Sequence, residues 1–258
     1  DLHSFPTRRS SDLEPGLWAI ESDDEKVKQV LSFTTVDKGA VIAPDIEKFR
    51  ELKLRLLNGT HTFSCGLAFL AGFETVKEAM SNSEVALFVR RLMMLEIAHE
   101  VENEIITYNE ACAYANTVMD RFRNPFLDHQ WISITLQYSL KMKMRNIPLL
   151  LRHYAKTNQP PECMALGFAA YLLFMKGSKN ESGTYSGQLN GKAYVIQDDS
   201  AAWFADKWKE ENADRLVDEV LSNKDLWGTD LSSLAGFADA VKNNLEFLVP
   251  VLDRKSVV

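Results

Sequence analysis

The sequence predicts a mainly α-helical protein, preceded by a short segment of α/β character. Two observations carry this prediction. Residues 17–41 hold short alternating or β-branched pieces, among them Trp18–Ile20 and Val30–Val36, which are typical of strands or extended segments. From Pro44 onward, apolar residues recur with a helical period almost to the end of the chain.

Local signals place the helices in order. Pro44 followed by two early acidic residues marks the first helix start, since proline suits the first turn and acids favour the helix dipole. Ser83 with Glu84 reads as an N-cap, and Asn124 ends the helix before it because a residue preceding proline avoids helical angles. The predicted helices are Asp45–Leu70, Thr75–Met80, Ser83–His99, Asn109–Arg121, Leu127–Lys143, Pro148–Lys156, Pro161–Met175, Ser200–Lys209, Ala213–Leu221 and Leu231–Val249.

The segment Lys176–Gly191 is polar and rich in glycine, with Gly183, Gly187 and Gly191 spaced four residues apart. A phosphate-binding loop would sit between a strand and a helix and would continue with Lys-Ser or Lys-Thr, and neither signal follows. We therefore predict a surface loop here.

Composition excludes several classes of function. The 258 residues carry a formal net charge of −7, which argues against a nucleic-acid surface or an anionic membrane as partner. No apolar run of about 18 residues is present, so we predict no membrane span. Cys65, Cys112 and Cys163 are scattered and odd in number, which indicates reduced thiols in a cytoplasmic protein.

The residues that point most directly to chemistry lie within Leu52–His61, where Lys53, Asn58 and His61 have the spacing K-x4-N-x2-H. On an ideal α-helix, Lys53 and His61 would lie roughly 80° apart around the axis and about 12 Å apart along it. A bend near Gly59 would help them share one ligand. A lysine, an amide and an imidazole can serve a carbonyl/alcohol active site, although a solvated helix face is the alternative.

We predict no metal site. His61 and Cys65 are four residues apart, but no further ligand cluster accompanies them. His99 and His153 have no obvious partners in the sequence, and we expect them on a helix surface or in the core.

The stretch KLRLLNGTHTFSCGLAFLAGFETVKEAM at Lys53–Met80 resembles the C-terminal domain of the long-chain mannitol dehydrogenase family. Within that family it is most similar to the tagaturonate reductase (altronate oxidoreductase) branch, with fructuronate reductase close behind. The RFRNP motif that begins at Arg121, with His129 after it, is more specific to the uronate branch than the lysine motif. Further similar stretches are Ala43–Lys53, Arg121–Ile134, Tyr194–Asp199 and Lys224–Leu231.

The resemblance covers Leu17–Leu252 and implies a domain organisation. Residues 14–43 would be a remnant of the Rossmann domain and its linker, and residues 44–252 a multi-helical domain like that of 6-phosphogluconate dehydrogenase. Residues 1–13 and 253–258 read like a translated sequencing adapter, and we leave them out of the fold prediction. No G-x-G-x-x-G follows a strand, so we expect a fragment without its nucleotide-binding domain, inactive alone.

The resemblance also implies NAD-dependent hydride transfer to a sugar carbonyl without a metal, and it assigns residues by role. Lys53 would be the general acid/base, Asn58 would hydrogen-bond the reacting oxygen, and His61 would bind a substrate hydroxyl. The cofactor-binding residues stay unknown. The implied catalytic set is Lys53, Asn58 and His61, and the implied substrate-binding set is Arg121, Arg123, Asn124 and His129.

The arginines distinguish substrates, because a planar guanidinium suits the carboxylate that a uronate carries and mannitol lacks. For Arg123, a surface ion pair is an equal alternative to substrate binding. For His129, a structural role is an equal alternative to substrate binding. We expect a small-molecule sugar acid as substrate and neither nucleic acid nor membrane as partner, with the oligomeric state open. The alternatives are a fructuronate reductase and a non-catalytic helical interaction module, in which the site residues would scatter over the surface.

Overall fold

The computed structural model describes residues 18–37, 39–210 and 212–255, and it begins with a small α/β unit. Strand β1 (Trp18–Glu21) pairs in parallel with β2 (Ala40–Ala43), with Trp18 opposite Ala40. Helix α1 (Glu25–Val30) connects them, because parallel strands need a crossover. Residues 1–17 and 256–258 lie outside the described residues.

The strand predicted over Val30–Val36 is wrong. This segment holds the end of α1 and a 3-10 helix, Ser32–Thr35. The N-cap is the physical reason for the helix, since the Asp24 carboxylate accepts the Lys26 N–H at 2.8 Å. Thr34 and Thr35 then turn their hydroxyls onto backbone carbonyls of the preceding turn, which favours a tight turn over an extended strand.

The rest of the described chain is mainly helical, which confirms the predicted fold class. The elements in order are α2 (Glu47–Leu52), α3 (Thr60–Leu70), α4 (Val76–Ser81), α5 (Ser83–Arg91), α6 (Ala98–Val101), α7 (Tyr108–Phe122), α8 (Trp131–Ile134), α9 (Tyr138–Lys141), α10 (Ile147–Lys156), α11 (Glu162–Phe174), β3 (Ser178–Lys179), β4 (Tyr185–Leu189), β5 (Lys192–Val195), α12 (Ala201–Trp208), α13 (Ala213–Ser222), α14 (Lys224–Trp227) and α15 (Phe237–Lys255).

Three π-helical segments join neighbouring helices within the described ranges. Lys53–Gly59 links α2 to α3, Leu92–Ile97 links α5 to α6, and Met142–Asn146 links α9 to α10. Each of the predicted helices Asp45–Leu70 and Ser83–His99 is therefore one continuous helical rod, in which a wider π-helical segment lies between two α-helical parts. A π-helical segment changes which side chains share a face, and such segments are frequent at functional sites.

The predicted helix Leu127–Lys143 and the predicted break before Pro148 are wrong. Helix α8 ends at Ile134, and Gln137, with φ +51°, starts α9 in the left-handed region. The rod from α9 then runs through Pro148, which cannot donate a backbone hydrogen bond to Met144. The Arg55 guanidinium replaces it, donating to the Met144 carbonyl at 3.0 Å.

The surface loop predicted over Lys176–Gly191 is a small antiparallel sheet of β3, β4 and β5. Asn190 and Gly191, with φ +51° and +73°, form a two-residue hairpin turn, for which an Asn-Gly pair is the strongest short signal. Helix α15 begins at Phe237 instead of Leu231, after Gly236 with φ +69°. Asp253–Lys255, which we assign to the adapter, continue this helix.

The core centres on α11, which packs against α3 and α15 and is buried on nearly all sides. Helices α3 and α11 approach closely because Gly167 has no side chain. A Cβ there would lie 2.7 Å from the Phe63 carbonyl oxygen. Within the described ranges, no helix combines the length and apolar character that crossing a bilayer requires.

His153 on α10 belongs to a charged cluster with Glu100 on α6, a partner that its position in the sequence does not reveal. Its Nδ1 lies 3.1 Å from Glu100 Oε1 and its Nε2 lies 2.9 Å from the Gln159 carbonyl oxygen, so the ring satisfies both acceptors only when doubly protonated. The hydrogen bond to the buried Glu100 carboxylate raises the pKa of His153. Lys156 Nζ lies 3.1 Å from the other oxygen of Glu100.

We expect the His153→Gln variant to lose stability in a pH-dependent way. Because folding raises the pKa of His153, its contribution is complete below the ordinary value of 6.5 and is lost as pH rises through the raised value. Urea unfolding of the wild type and of His153→Gln at about pH 5.5, 7 and 8.5 measures this loss. The difference between their free energies of unfolding should be largest at the lowest pH.

The difference between the two proteins is the informative quantity. Buried His61 has a lowered pKa and adds an opposite pH dependence that is common to both proteins, so it cancels. A difference that stays constant over this pH range would contradict the proton linkage.

Candidate active site

The lysine motif lies on the first π-helical segment, and this changes the expected geometry. Lys53 and Asn58 are five residues apart, the interval of the i to i+5 hydrogen bond, so the segment sets them one turn apart on one face. His61 follows Asn58 by three residues at the start of α3, again one turn further along. Gly59 has helical φ and ψ angles of −63° and −46°, so the backbone does not bend at this residue, where a bend would have been one way for the three side chains to share a ligand. Along this face Lys53 is exposed, Asn58 half-buried and His61 buried.

The His61 imidazole is packed among aromatic rings from three parts of the fold. It stacks on Phe122 at the end of α7, with ring centroids 4.2 Å apart, and meets the edges of His129 and Trp131 at 5.2 and 6.0 Å. His61 Nε2 and Trp131 Nε1 are both buried without a hydrogen-bond partner among the described residues. Buried polar atoms are nearly always satisfied, so two orphans in one cluster mark a place where a water molecule or a polar group of a ligand would complete their hydrogen bonds.

The segment that carries His129 and Trp131 is fixed by the backbone before α4. The Val76 N–H donates to the His129 carbonyl at 2.9 Å, and the Trp131 N–H donates to the Glu74 carbonyl at 3.0 Å. The long stretch after Pro125 is thus held as an extended segment beside α3. His129 therefore reaches the His61 ring from a region far along the sequence.

Electrostatics keep the His61 imidazole neutral. Burial is the largest cause that lowers its pKa well below the usual value, followed by the charges of His129, Arg145, Arg121 and Lys141. Solvent reaches one side of His129, yet partial desolvation, with Lys141 nearby, lowers the pKa of His129 too. Both rings can therefore accept or donate a single hydrogen bond at neutral pH.

Two cationic residues at this site were not predicted from the sequence. Lys141 donates to the Ile134 carbonyl at 2.8 Å, and Arg145 donates to Thr62 Oγ1 at 3.3 Å. Among the described residues, no carboxylate lies within the ion-pair distance of 4.0 Å from either side chain. Desolvation lowers the pKa of both, and the Arg145 charge also lowers the pKa of Lys141.

The sequence signal for these two residues is the segment Lys141–Arg145, in which charged and apolar residues alternate. This alternation predicts a helix face that is exposed to solvent. The π-helical segment instead turns Lys141 and Arg145 toward α3 and leaves Lys143 to donate to the Asp225 carbonyl at 3.2 Å. Lys141 and Arg145 point away from Lys143 because the segment is π-helical, and the residue pattern does not predict a π-helical segment.

The RFRNP residues have mixed surroundings. Arg121 is exposed near the end of α7, and its charge acts on His61. Arg123 is exposed and lies 3.8 Å from the Asp120 carboxylate, an ion pair of the kind weighed as its alternative. The Asn124 side chain accepts the Phe126 N–H at 2.9 Å, so it stabilises the turn through Pro125.

The cysteines take no visible part in this site. Burial is the main cause that raises the pKa of the Cys65 thiol to about 12, so the thiol stays protonated. Cys65, Cys112 and Cys163 are all free of disulfides. In the described part of the chain, no three His, Cys, Asp or Glu side chains come together as metal ligands.

The model of the mannitol dehydrogenase C-terminal domain matches residues 45–249. The altronate oxidoreductase of Halalkalibacterium halodurans is 32% identical over 244 residues, covering 92% of this chain and 47% of that protein. Its counterpart from Cronobacter sakazakii is 33% identical over 216 residues, covering 81% and 42%. The chain thus spans slightly less than half the length of these relatives.

Solved structures show the same fold. A Pseudomonas fluorescens mannitol 2-dehydrogenase, in a ternary complex with NAD and D-mannitol, superposes with a TM-score of 0.67 at 23% identity, over 84% of this chain and 42% of that chain. A substrate-free D-sorbitol dehydrogenase superposes with a TM-score of 0.64 at 19% identity, over 85% and 42%.

Proposed function

The chain belongs to the mannitol dehydrogenase family, and on this premise we propose that it is part of an NAD-dependent tagaturonate reductase. The enzyme would interconvert altronate and NAD with tagaturonate, NADH and a proton, in the breakdown of hexuronates in the cytoplasm. Relatives named altronate oxidoreductase, at 30–33% identity, support this substrate class.

The observation that carries the proposal is the group of cationic side chains around His61. The charges of Arg121, Lys141 and Arg145 all act on this imidazole, although the whole chain has a formal net charge of −7. A local positive field in an acidic protein favours an anionic ligand. A sugar acid offers both the carboxylate that such a field attracts and the hydroxyls that orphan polar atoms such as His61 Nε2 can bind.

On this proposal, each of the three motif residues has its own role in catalysis or substrate binding, and all three lie along one helix face. Lys53 Nζ takes the proton of the reacting hydroxyl during oxidation and returns it during reduction. The Asn58 amide donates to the reacting oxygen as negative charge develops on it. The neutral His61 ring binds a neighbouring hydroxyl through Nε2 and so orients the substrate. An interaction module would not need His61 and His129 packed edge to face at 5.2 Å beside orphan polar atoms.

The turn after β1 does not fit the pyrophosphate of NAD. The turn after β1 reads Ser22-Asp23-Asp24, without the glycines of a phosphate-binding turn, and Asp24 already caps the short helix α1 with its own carboxylate. We propose that another domain of the enzyme, before residue 14, binds NAD.

The small α/β unit supports its assignment as an edge of such a domain. Parallel sheets normally belong to larger sheets that are covered on both faces, whereas the sheet of β1 and β2 has two strands among the described residues. Trp18, Val30 and Val36 are 52%, 79% and 82% exposed. We propose that residues 14–43 complete a larger sheet, and that residues 44–252 form the substrate domain.

The test is turnover by the full-length enzyme with NAD, followed as NADH absorbance. We expect altronate to be oxidised much faster than mannonate. The opposite order would favour fructuronate reductase, and no turnover of either acid would refute a uronate reductase. The 258-residue chain alone is expected to be inactive, so clear turnover by it would contradict the proposal that it is a fragment.

A further inference from the structure

Arg145 is a half-buried cation for which the fold supplies no counter-ion within the described residues. Its guanidinium donates to Thr62 Oγ1 at 3.3 Å and lies beyond 4.0 Å from the described carboxylates. Two other arginines, by contrast, form ion pairs with a carboxylate. Arg55 and Arg152 both contact the Glu51 carboxylate, at 3.0 and 2.6 Å. Desolvating an unpaired charge costs free energy, so its retention needs a reason.

The backbone around Arg145 is held rigidly. Buried Arg55 donates to the Arg145 carbonyl at 2.7 Å and to the Met144 carbonyl at 3.0 Å, and Glu51 in turn fixes Arg55. Asn146 is fully buried, and its side chain donates to Met142 Sδ at 3.4 Å. The backbone that carries the Arg145 side chain is thus fixed, as the support of a residue that selects a ligand should be.

A hydrogen-bonded chain sets Arg145 beside the lysine motif. Thr62 Oγ1 accepts from Arg145 and donates to the Asn58 carbonyl at 2.8 Å. His61 is the neighbour of Thr62, and its pKa is lowered partly by the Arg145 charge. The guanidinium therefore lies next to the helix face that carries Asn58 and His61.

The chemistry of this position selects a carboxylate. Thr62 uses one N–H of the guanidinium, which leaves four donors in a planar fork that matches two carboxylate oxygens. Lys141 lies close enough for its pKa to be lowered by the Arg145 charge. A bound anion would relieve the repulsion between the two cations, whereas a neutral polyol would not.

We propose that Arg145 is a specificity-determining residue that binds the carboxylate of the sugar acid. This inference rests on the proposed function and deepens it. It moves carboxylate recognition from the exposed Arg123, which has Asp120 as its partner, to Arg145 in the π-helical segment between α9 and α10.

The test compares three variants of the full-length enzyme, Arg145→Met, Arg145→Lys and Lys143→Met. We expect Arg145→Met to lower kcat/KM for altronate by about 30- to 1,000-fold, mainly through KM, because it removes a partner of a desolvated charge pair. Arg145→Lys keeps the charge without the fork and should lose about tenfold. Lys143→Met removes a charge two residues away and should stay within about twofold, since Lys143 faces Asp225.

Altritol, which has a CH2OH group in place of the carboxylate, separates carboxylate recognition from general damage. At enzyme and altritol concentrations high enough to give a measurable wild-type rate, its oxidation by the wild type and by Arg145→Met should agree within about threefold. An altronate KM unchanged in Arg145→Met, or an equal loss for both substrates, would overturn the inference alone. If Arg145→Met does not fold, Arg145→Lys decides in the same way. A wild type that fails to oxidise altronate would overturn the proposed function and this inference together.

Discussion

Replacing Lys53 with alanine in the full-length enzyme is expected to lower kcat for altronate oxidation by about 10²- to 10⁴-fold, the usual contribution of a general acid/base. Lys53 opens the π-helical segment, one turn before Asn58 on the same face. Its exposed position at the start of that face leaves it open to a substrate that also reaches Asn58 and His61. Steady-state assays at saturating NAD and altronate measure the effect.

The matched control is Lys48→Ala, which removes the same side chain from α2, five residues earlier. Lys48 forms an ion pair with Glu110 on α7, and its side chain is 35% exposed. Such a pair contributes about 1 kcal/mol or less, so kcat should stay within about twofold. If Lys53→Ala retained more than a tenth of wild-type kcat, Lys53 could not be the principal proton-transfer group.

The dependence of kcat on pH distinguishes a proton-transfer role from a structural one. A lost general base removes a limb of the pH profile, whereas misplacement of the substrate lowers the rate at every pH. Retention of the wild-type profile at reduced height in Lys53→Ala would therefore assign the loss to positioning.

The helical nature of the domain was predictable because its signals are local. The apolar period from Asp45 to Leu70 and the early acid Glu47 specify one rod, and the structure has that rod. The period does not reveal where the rod widens into a π-helical segment. That widening depends on contacts between distant residues, such as those of Arg55 with the carbonyls of Met144 and Arg145.

The candidate site was predictable where the motif lies on a single rod. Lys53, Asn58 and His61 are close in sequence, so any continuous helix keeps them within about 12 Å along its axis, but the face that Lys53 shares with Asn58 requires the π-helical segment. Lys141 and Arg145 lie on another continuous helix, the one that runs from α9 to α10, and their inward direction requires the π-helical segment Met142–Asn146. The alternation of charged and apolar residues around Lys143 fits a solvated face equally well, so the pattern could not separate the three cations.

The site also works against the stability of the fold. Lys141 and Arg145 are half-buried cations whose positive charges repel each other, and the orphan atoms His61 Nε2 and Trp131 Nε1 add desolvation cost. Binding groups held in this state are typical of sites that trade stability for function. The free energy that offsets this cost has to come from the apolar core around α11.

Replacing Phe168 with alanine is expected to destabilise the 258-residue chain by about 3–5 kcal/mol, the usual cost for a buried phenylalanine. Its fully buried ring touches Tyr171, Trp227 and Phe237, with centroids 5.7, 5.5 and 5.6 Å away, so the cavity would open where α11 meets α14 and α15. Against a typical total of about 5–15 kcal/mol, this is a large share. Urea unfolding followed by circular dichroism measures it.

Phe247→Ala on α15 makes the same chemical change where the side chain is 68% exposed, and it should alter the free energy of unfolding by about 0.5 kcal/mol or less. The contrast tests the core because Phe168 lies on the helix that α3, the carrier of His61, packs against. A loss below about 1.5 kcal/mol for Phe168→Ala would mean that α11 is not tightly packed. The rod that carries Asn58 and His61 would then lack the rigid support that a preorganised site requires.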